Sequence, residues 1–272
     1  MELMFITNDP KMAKIAENAG IEIIFIDLEV KGKYERQGHL DTHIGDHQIE
    51  DIGVIRKVLN KANILARVNP FYEGTKNEVD KCVEQGADII MLPMFKTKNE
   101  VKDFIHFVDK RAEVCLLLET PQALVRIKDI IELDGIDRIH IGLNDLHLGM
   151  GIDFMFELLS EGIVDYLANI ITSKGINFGF GGIAKCGQGT IPAELIIKEH
   201  YRLNSRMVIL SRVFRNFSTN IEQELKIEVE KIRVVEKEAE RLNNIELENN
   251  RIEVQRLVRK HIVEIDRGET YV

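Results

Sequence analysis

Eight short apolar runs alternate with longer amphipathic segments along most of this chain. That alternation restricts the possible folds more than any other feature. The runs cover residues 3–7, 23–29, 64–69, 88–94, 114–120, 138–144, 177–181 and 207–211; each is rich in Ile, Val, Leu or Phe and has strand length. Helical patterns lie between them at 48–60, 76–85, 99–110, 121–131, 162–173 and 192–201. A further helix opens at Asp9-Pro10, with Asp in a capping position and Pro in the first turn. Ala13, Ile15, Ala16 and Ala19 supply its apolar face, and Gly20 ends it. Gly86, Gly135 and Gly175 fall between helix and strand, where a left-handed turn is often needed. Parallel neighbours need a crossover, so strict alternation predicts a parallel sheet. Eight units predict a closed (β/α)8 TIM barrel, for which the 272 residues suffice with an appendage to spare. No Gly-x-Gly-x-x-Gly follows the first run, which weighs against an open dinucleotide-binding sheet.

The net charge of -9 excludes nucleic acid as the main partner, because phosphate binding needs a basic face. No apolar run approaches the roughly 20 residues of a membrane span. The first residues lack the basic and apolar regions of a signal peptide, so a cytoplasmic protein is expected. Cys82, Cys115 and Cys186 are far apart and read as reduced thiols; no Cys-x-x-Cys spacing suggests zinc. From Ser218 the pattern changes. Thr219-x-x-Glu222 resembles a capping box, and Ile221, Leu225, Val229, Ile232 and Val235 form one helical stripe. Asn243-Asn244 and Asn249-Asn250 are candidate interruptions before a second amphipathic stretch at 251–265. The organisation expected is a catalytic barrel over 1–217 and an extended C-terminal helical arm over 218–272. Its stripe is expected to bury against a second copy, giving a homo-oligomer built on a dimer.

Candidate chemistry gathers at the strand ends, since barrel sites form at the carboxyl ends of the strands. Glu119 follows five apolar residues, and Asp145 closes the next run. Two convergent carboxylates suit Mg²⁺ or Mn²⁺, although two solvated strand-end acids would look the same in sequence. Arg67 ends the third run and offers a planar, always-charged fork for a substrate carboxylate or an enolate oxygen, or for a structural ion pair. Asp27 and Glu29 end the second run, where they can orient a base, hold water on a metal, or cap the long polar loop that follows. That loop carries His39, His43 and His47, each read first as exposed; His39 and His43 are the candidate bases. His140 lies inside a run and reads as a core histidine, whereas His147 is placed for a pocket. The glycine-rich stretch 178–182 is expected after the seventh strand. Backbone amides around Gly181, with Arg212 at the eighth strand end, are candidates for anion binding.

Over about residues 1–215 the chain resembles the HpcH/HpaI aldolase and citrate lyase β-subunit-like family of the phosphoenolpyruvate/pyruvate barrel superfamily. The resemblance rests on Phe25-Ile26-Asp27-Leu28-Glu29, Ala66-Arg67-Val68-Asn69, Gly86-Ala87-Asp88, Met91-Leu92-Pro93-Met94, Leu118-Glu119-Thr120 and Ile141-Gly142-Leu143-Asn144-Asp145-Leu146, in matching order and spacing. It implies metal carboxylates at Glu119 and Asp145, an enolate-binding arginine at Arg67, and substrate contacts from the Gly142, Leu143 and Asn144 segment. The implied activity is a divalent-metal-dependent C–C bond lyase of the class II aldolase type, acting on a 2-oxo acid through a pyruvate-like enolate. Acyl-CoA lyases of the citrate or malyl-CoA type are the alternative enzyme, with Lys31, Lys33 and Arg36 as nucleotide contacts. A barrel that binds an oxo acid without turning it over is a third reading. Two positions depart from the aldolase pattern: Val30 stands where a proton-transferring His is usual, and Leu117 stands where a Gln is usual.

Overall fold

The computed structural model describes residues 1–31, 47–215 and 220–267. Its strands form a closed barrel in chain order: β1 (Glu2–Ile6), β2 (Ile23–Asp27), β3 (Asn63–Arg67), β4 (Ile89–Leu92), β5 (Glu113–Leu118), β6 (Arg138–Ile141), β7 (Asn177–Ile183) and β8 (Met207–Leu210). All eight coincide with the apolar runs. Ile23, Ile24, Ile64, Leu65, Ala66, Ile89 and Ile90 are fully buried. Strands covered on both faces keep apolar residues at successive positions, so these runs do not alternate with polar residues.

The helices are α1 (Pro10–Asn18), α2 (Ile49–Arg56), α3 (Thr75–Glu84), α4 (Lys98–Val108), α5 (Pro121–Ile130), α6 (Leu143–Met150), α7 (Glu157–Ser160), α8 (Ile163–Ser173), α9 (Ala193–Arg202), α10 (Ile221–Ala239) and α11 (Asn244–Asp266). Local signals set several of their starts. The Asp9 carboxylate accepts the N–H of Lys11 ahead of Pro10, and Thr97 and Glu100 form a reciprocal capping box on α4. None of the helices is long and apolar enough to cross a membrane, among the described residues.

The chain divides into two compact units, Met4–Ile139 and Met1–Leu3 with His140–Val272. In the first, Glu17 at the end of α1 clamps the turn before β3. Its Oε1 accepts the N–H groups of Asn60, Lys61 and Ala62 at 2.7, 2.6 and 2.9 Å, and its Oε2 accepts from Lys14 at 2.6 Å. Burial acts to raise its pKa, but the bonds from Lys14 and the three amides outweigh it and lower the value from 4.5 to about 2. A carboxylate lowered on folding stabilises the fold above its unfolded value, and that contribution is lost as pH falls through the folded one. Urea midpoints should therefore decline as pH drops from 4.5 towards 2. Glu17→Gln should flatten this part of the profile; an unchanged slope would show that the clamp contributes nothing.

Three sequence expectations change in the second unit. First, β6 stops at Ile141 and a helix starts at once, so Asp145 lies in the first turn of α6 and not at a strand end. Second, the stretch 178–182 lies inside β7, with a register irregularity between Gly179 and Gly182. A Cβ on Gly179 would come within 2.1 Å of the Met207 carbonyl oxygen, so close strand approach accounts for that glycine. Third, most of the stripe of α10 is covered within the chain. Leu225, Val229, Ile232 and Val235 are buried, and α10 and α11 both pack on α9. The helix after β8 takes the eighth helical position, so four of the five stripe residues are covered within the chain, at roughly 1.5–3 kcal/mol per fully buried large side chain, and Ile221 is 38% exposed. The boundary at 217/218 and Thr219 fall outside the described residues; the observed N-cap of α10 is Asn220. Asn243 caps α11 as a true break, whereas Asn250 sits within that helix and donates to the Leu195 carbonyl and to Glu199.

Candidate active site

Asp27 and Arg67 are the last residues of β2 and β3 and are partners in the parallel register. Arg67 Nε donates to Asp27 Oδ1 at 2.8 Å and its Nη2 to Asp27 Oδ2 at 2.8 Å, a two-point clamp; its Nη1 lies 3.2 Å from Glu29 Oε2. Asp27 and Glu29 are buried, and the Arg67 side chain is 14% exposed. Burial works against the guanidinium charge, but Asp27, Glu29 and Glu119 hold it protonated well above its ordinary range. None of the three roles open to the two acids in sequence is what the geometry shows; both pair with Arg67, the structural ion pair that was the alternative for that arginine. Three of the five N–H donors of the fork are engaged among the described residues, and the plane of the guanidinium is fixed.

Around this clamp the first unit builds a second layer that sequence reading did not find. His47 is buried, contrary to the expectation of an exposed loop residue, and its Nδ1 accepts the N–H of Asp27 at 2.9 Å. Asn69 Oδ1 accepts the N–H groups of Val30 and Lys31 at 3.1 and 3.0 Å. Its own Nδ2 and backbone N–H donate to Glu78 Oε1 at 2.7 and 3.2 Å. Burial raises the Glu78 pKa, opposed by these bonds. Asn69 thus fixes the chain where it leaves β2 for the long loop. Its place in the Ala66-Arg67-Val68-Asn69 segment was a usable signal; Glu78, one acid among several on α3, gave none. Glu119 follows β5 directly and is 3% exposed. Its Oε1 accepts the N–H of Met94 at 3.1 Å, and Met94 stands at φ 53, a left-handed conformation uncommon for a side-chain-bearing residue.

The second unit carries the remaining candidates. Gly142 caps α6, Leu143 is buried, Asn144 is exposed and Asp145 is half-buried. His147 is buried, and its Nδ1 turns back onto the Leu143 carbonyl at 3.2 Å, so it is occupied inside its own helix. Gly181 has φ +51, and a Cβ there would meet Leu143 Cδ1 at 2.9 Å; its carbonyl lies 3.0 Å from His140 Nε2. His140 is buried, in keeping with the core reading. Arg212 lies exposed in a short 3-10 turn after β8. His39, His43, Lys33 and Arg36 lie outside the described residues. Among the described residues no three His, Cys, Asp or Glu side chains gather as a metal site.

Comparison with known proteins gives the arrangement a family. The sequence profile described as HpcH/HpaI aldolase/citrate lyase matches residues 2–155, more than half the chain. The solved HpcH/HpaI aldolase from Desulfitobacterium hafniense DCB-2 is 12% identical with a TM-score of 0.60, covering 89% of this chain and 94% of that one. An HpcH/HpaI aldolase/citrate lyase family protein from Burkholderia cenocepacia J2315 is 12% identical with a TM-score of 0.60, covering 86% and 94%. Citrate synthase SbnG is 14% identical with a TM-score of 0.59, covering 88% and 94%. At such identities these likenesses speak for the fold. Among curated proteins none matches the chain. The profile spans Asp27, Glu29, Arg67, Glu119 and Asp145, and by that match the chain belongs to the HpcH/HpaI aldolase/citrate lyase family, a family of lyases.

Proposed function

We propose that this protein is a C–C bond lyase of the class II aldolase type, cleaving or forming a 2-oxo acid aldol through a pyruvate-like enolate. The observation that carries this reading is the buried Arg67, held in one plane by Asp27 and Glu29 beside Glu119. A guanidinium locked in this way offers its remaining N–H donors to an oxygen that gains charge during the reaction, without reorganising when the charge develops. Members of the family generally use divalent metal ions. Glu119 and Asp145 supply hard carboxylate oxygens, which fit Mg²⁺ or Mn²⁺ better than softer ions. When bound, such an ion supplies Lewis acidity to the carboxylate and 2-oxo oxygens of the substrate. Glu119 accepts the Met94 N–H, and Asp145 stands in the first turn of α6.

The proton-transfer group is left to residues other than position 30, where the half-exposed Val30 has no titratable atom. His47 spends its Nδ1 on the Asp27 N–H, so His39 and His43 stay the candidate bases. Enolate formation can be tested without knowing the second substrate. With pyruvate and Mg²⁺ in deuterium oxide, the methyl signal should disappear from the proton NMR spectrum in an enzyme-dependent way. Methyl protons that persist over hours at micromolar protein would count decisively against the lyase reading.

A further inference from the structure

His47 stands at the end of the long stretch between β2 and α2, two residues ahead of Ile49, where α2 begins. It is buried, and its Nδ1 accepts the Asp27 N–H at 2.9 Å. Strand geometry explains why this N–H takes a side-chain partner. Successive N–H groups of a strand point to opposite sides. The Leu28 N–H meets the Arg67 carbonyl on the β3 side at 2.9 Å, so the Asp27 N–H faces the other neighbour, β1. But β1 ends at Ile6. Among the described residues, the last backbone bond between the two chains runs from the Thr7 N–H to the Phe25 carbonyl at 3.2 Å. The imidazole takes the place of the next ladder carbonyl, and a buried N–H keeps an acceptor.

The ring is held in that place from both sides. Asp51 Oδ2 accepts the Gln48 N–H at 2.8 Å and so caps the start of α2 directly after His47. The same oxygen accepts Asn8 Nδ2 at 3.2 Å, which ties the helix start to the chain leaving β1. Ile52 and Ile55 anchor α2 with fully buried side chains. An imidazole nitrogen that accepts an N–H carries no proton, so the His47 ring is neutral with its proton on Nε2. The links then run from the helix start to the fork. His47 Nδ1 holds the Asp27 backbone, and the Asp27 carboxylate holds Nε and Nη2 of Arg67 at 2.8 Å each. Asp27 Oδ1 also accepts the N–H of Glu29, the second acid facing Arg67, at 3.3 Å.

Resting on the lyase reading above, we propose that His47 is a positioning residue for the Arg67 fork: by holding the Asp27 N–H through Nδ1, it fixes the carboxylate that sets the plane of the guanidinium. It acts through Asp27 and not on the substrate. Three variants of the full chain test the acceptor itself. His47→Asn keeps an acceptor where Nδ1 stood, His47→Gln moves it to where Nε2 stood, and His47→Leu removes it. Pyruvate methyl-proton exchange with Mg²⁺ gives kcat and KM. The Nε–H resonance of Arg67 in a nitrogen-labelled chain, assigned by its loss in Arg67→Lys, reports the fork without turnover. In His47→Gln and His47→Leu, kcat should fall on the order of 10-fold, the lower end of what losing an outer-layer partner of a site commonly costs. KM for pyruvate should stay within about twofold, because the fork acts on charge that develops during the reaction. The Arg67 resonance should shift or broaden in both. His47→Asn should keep most of kcat and the native resonance. Circular dichroism shows which variants fold; if His47→Leu does not, the Asn and Gln variants decide, since both are amides and differ in where the acceptor stands. Equal kcat in those two, within about twofold, or an unchanged Arg67 resonance in His47→Gln overturns the proposal. A wild-type chain without exchange removes the lyase reading instead, and the Arg67 resonance in the Asn and Gln variants then decides the positioning role by itself.

Discussion

Arg67→Lys should lower pyruvate methyl-proton exchange roughly 100-fold or more, because an oxyanion donor is commonly worth about 2.7–4 kcal/mol. Lysine keeps the charge but cannot reproduce the fork. In the native site Nε and Nη2 hold both oxygens of Asp27, and Nη1 faces Glu29. One ammonium cannot satisfy both buried carboxylates and still point a donor at the substrate. The same substitution should reduce stability, since truncating one partner of a buried ion pair leaves charge poorly compensated. The two effects can be separated. Urea titration gives the stability loss, and exchange measured well below the transition gives the catalytic one. A folded Arg67→Lys protein that loses less than about threefold in exchange would show that Arg67 serves Asp27 and Glu29 and not the substrate.

Removing divalent ions should abolish exchange, and Glu119→Gln or Asp145→Asn should lower it by at least about 100-fold, since Lewis-acid stabilisation is worth several kcal/mol. The substitutions are chosen to spare the fold. Gln at 119 keeps an amide oxygen that can accept the Met94 N–H, and Asn at 145 keeps the size of a side chain in the first turn of α6. Circular dichroism should therefore stay native in both. Two carboxylates make a modest site, so added Mg²⁺ or Mn²⁺ should restore the chelator-treated wild type. Calorimetric titration with Mn²⁺ should show binding weakened in each variant. Full exchange after exhaustive chelation would exclude the metal-dependent reading while leaving the Arg67 experiment intact.

The barrel was legible because its signals are local. Each strand had an unbroken apolar run, and Asp9-Pro10 and Thr97 with Glu100 marked helix starts in the sequence itself. Arg67 and Glu119 were legible for a related reason: a charge at the end of a run such as Val114-Cys115-Leu116-Leu117-Leu118 has to lie where the strand meets the barrel rim. The start of α6 was missed because Gly142-Leu143-Asn144 continues the apolar run of β6, and no Ser, Thr, Asp or Asn stands at its N-cap. The α10 stripe was read correctly as apolar, and four of its five residues find their cover within the chain, which periodicity does not reveal, because it says that a face is buried and not by what.

Composition and pattern alone thus determined the number and order of the strands, the parallel sheet they imply, and the rim positions of Asp27, Arg67 and Glu119. Only the tertiary structure decided how those charges are used. The register that sets Asp27 opposite Arg67 joins residues 40 positions apart, and the Met94 N–H reaches Glu119 across 25. Asn69 ties Val30 and Lys31 to Glu78 by bonds whose partners lie on three separate segments. Such contacts depend on parallel pairing in register, which brings the ends of neighbouring strands together. A hydrogen bond between side chains distant in sequence leaves no periodic trace in the chain that forms it.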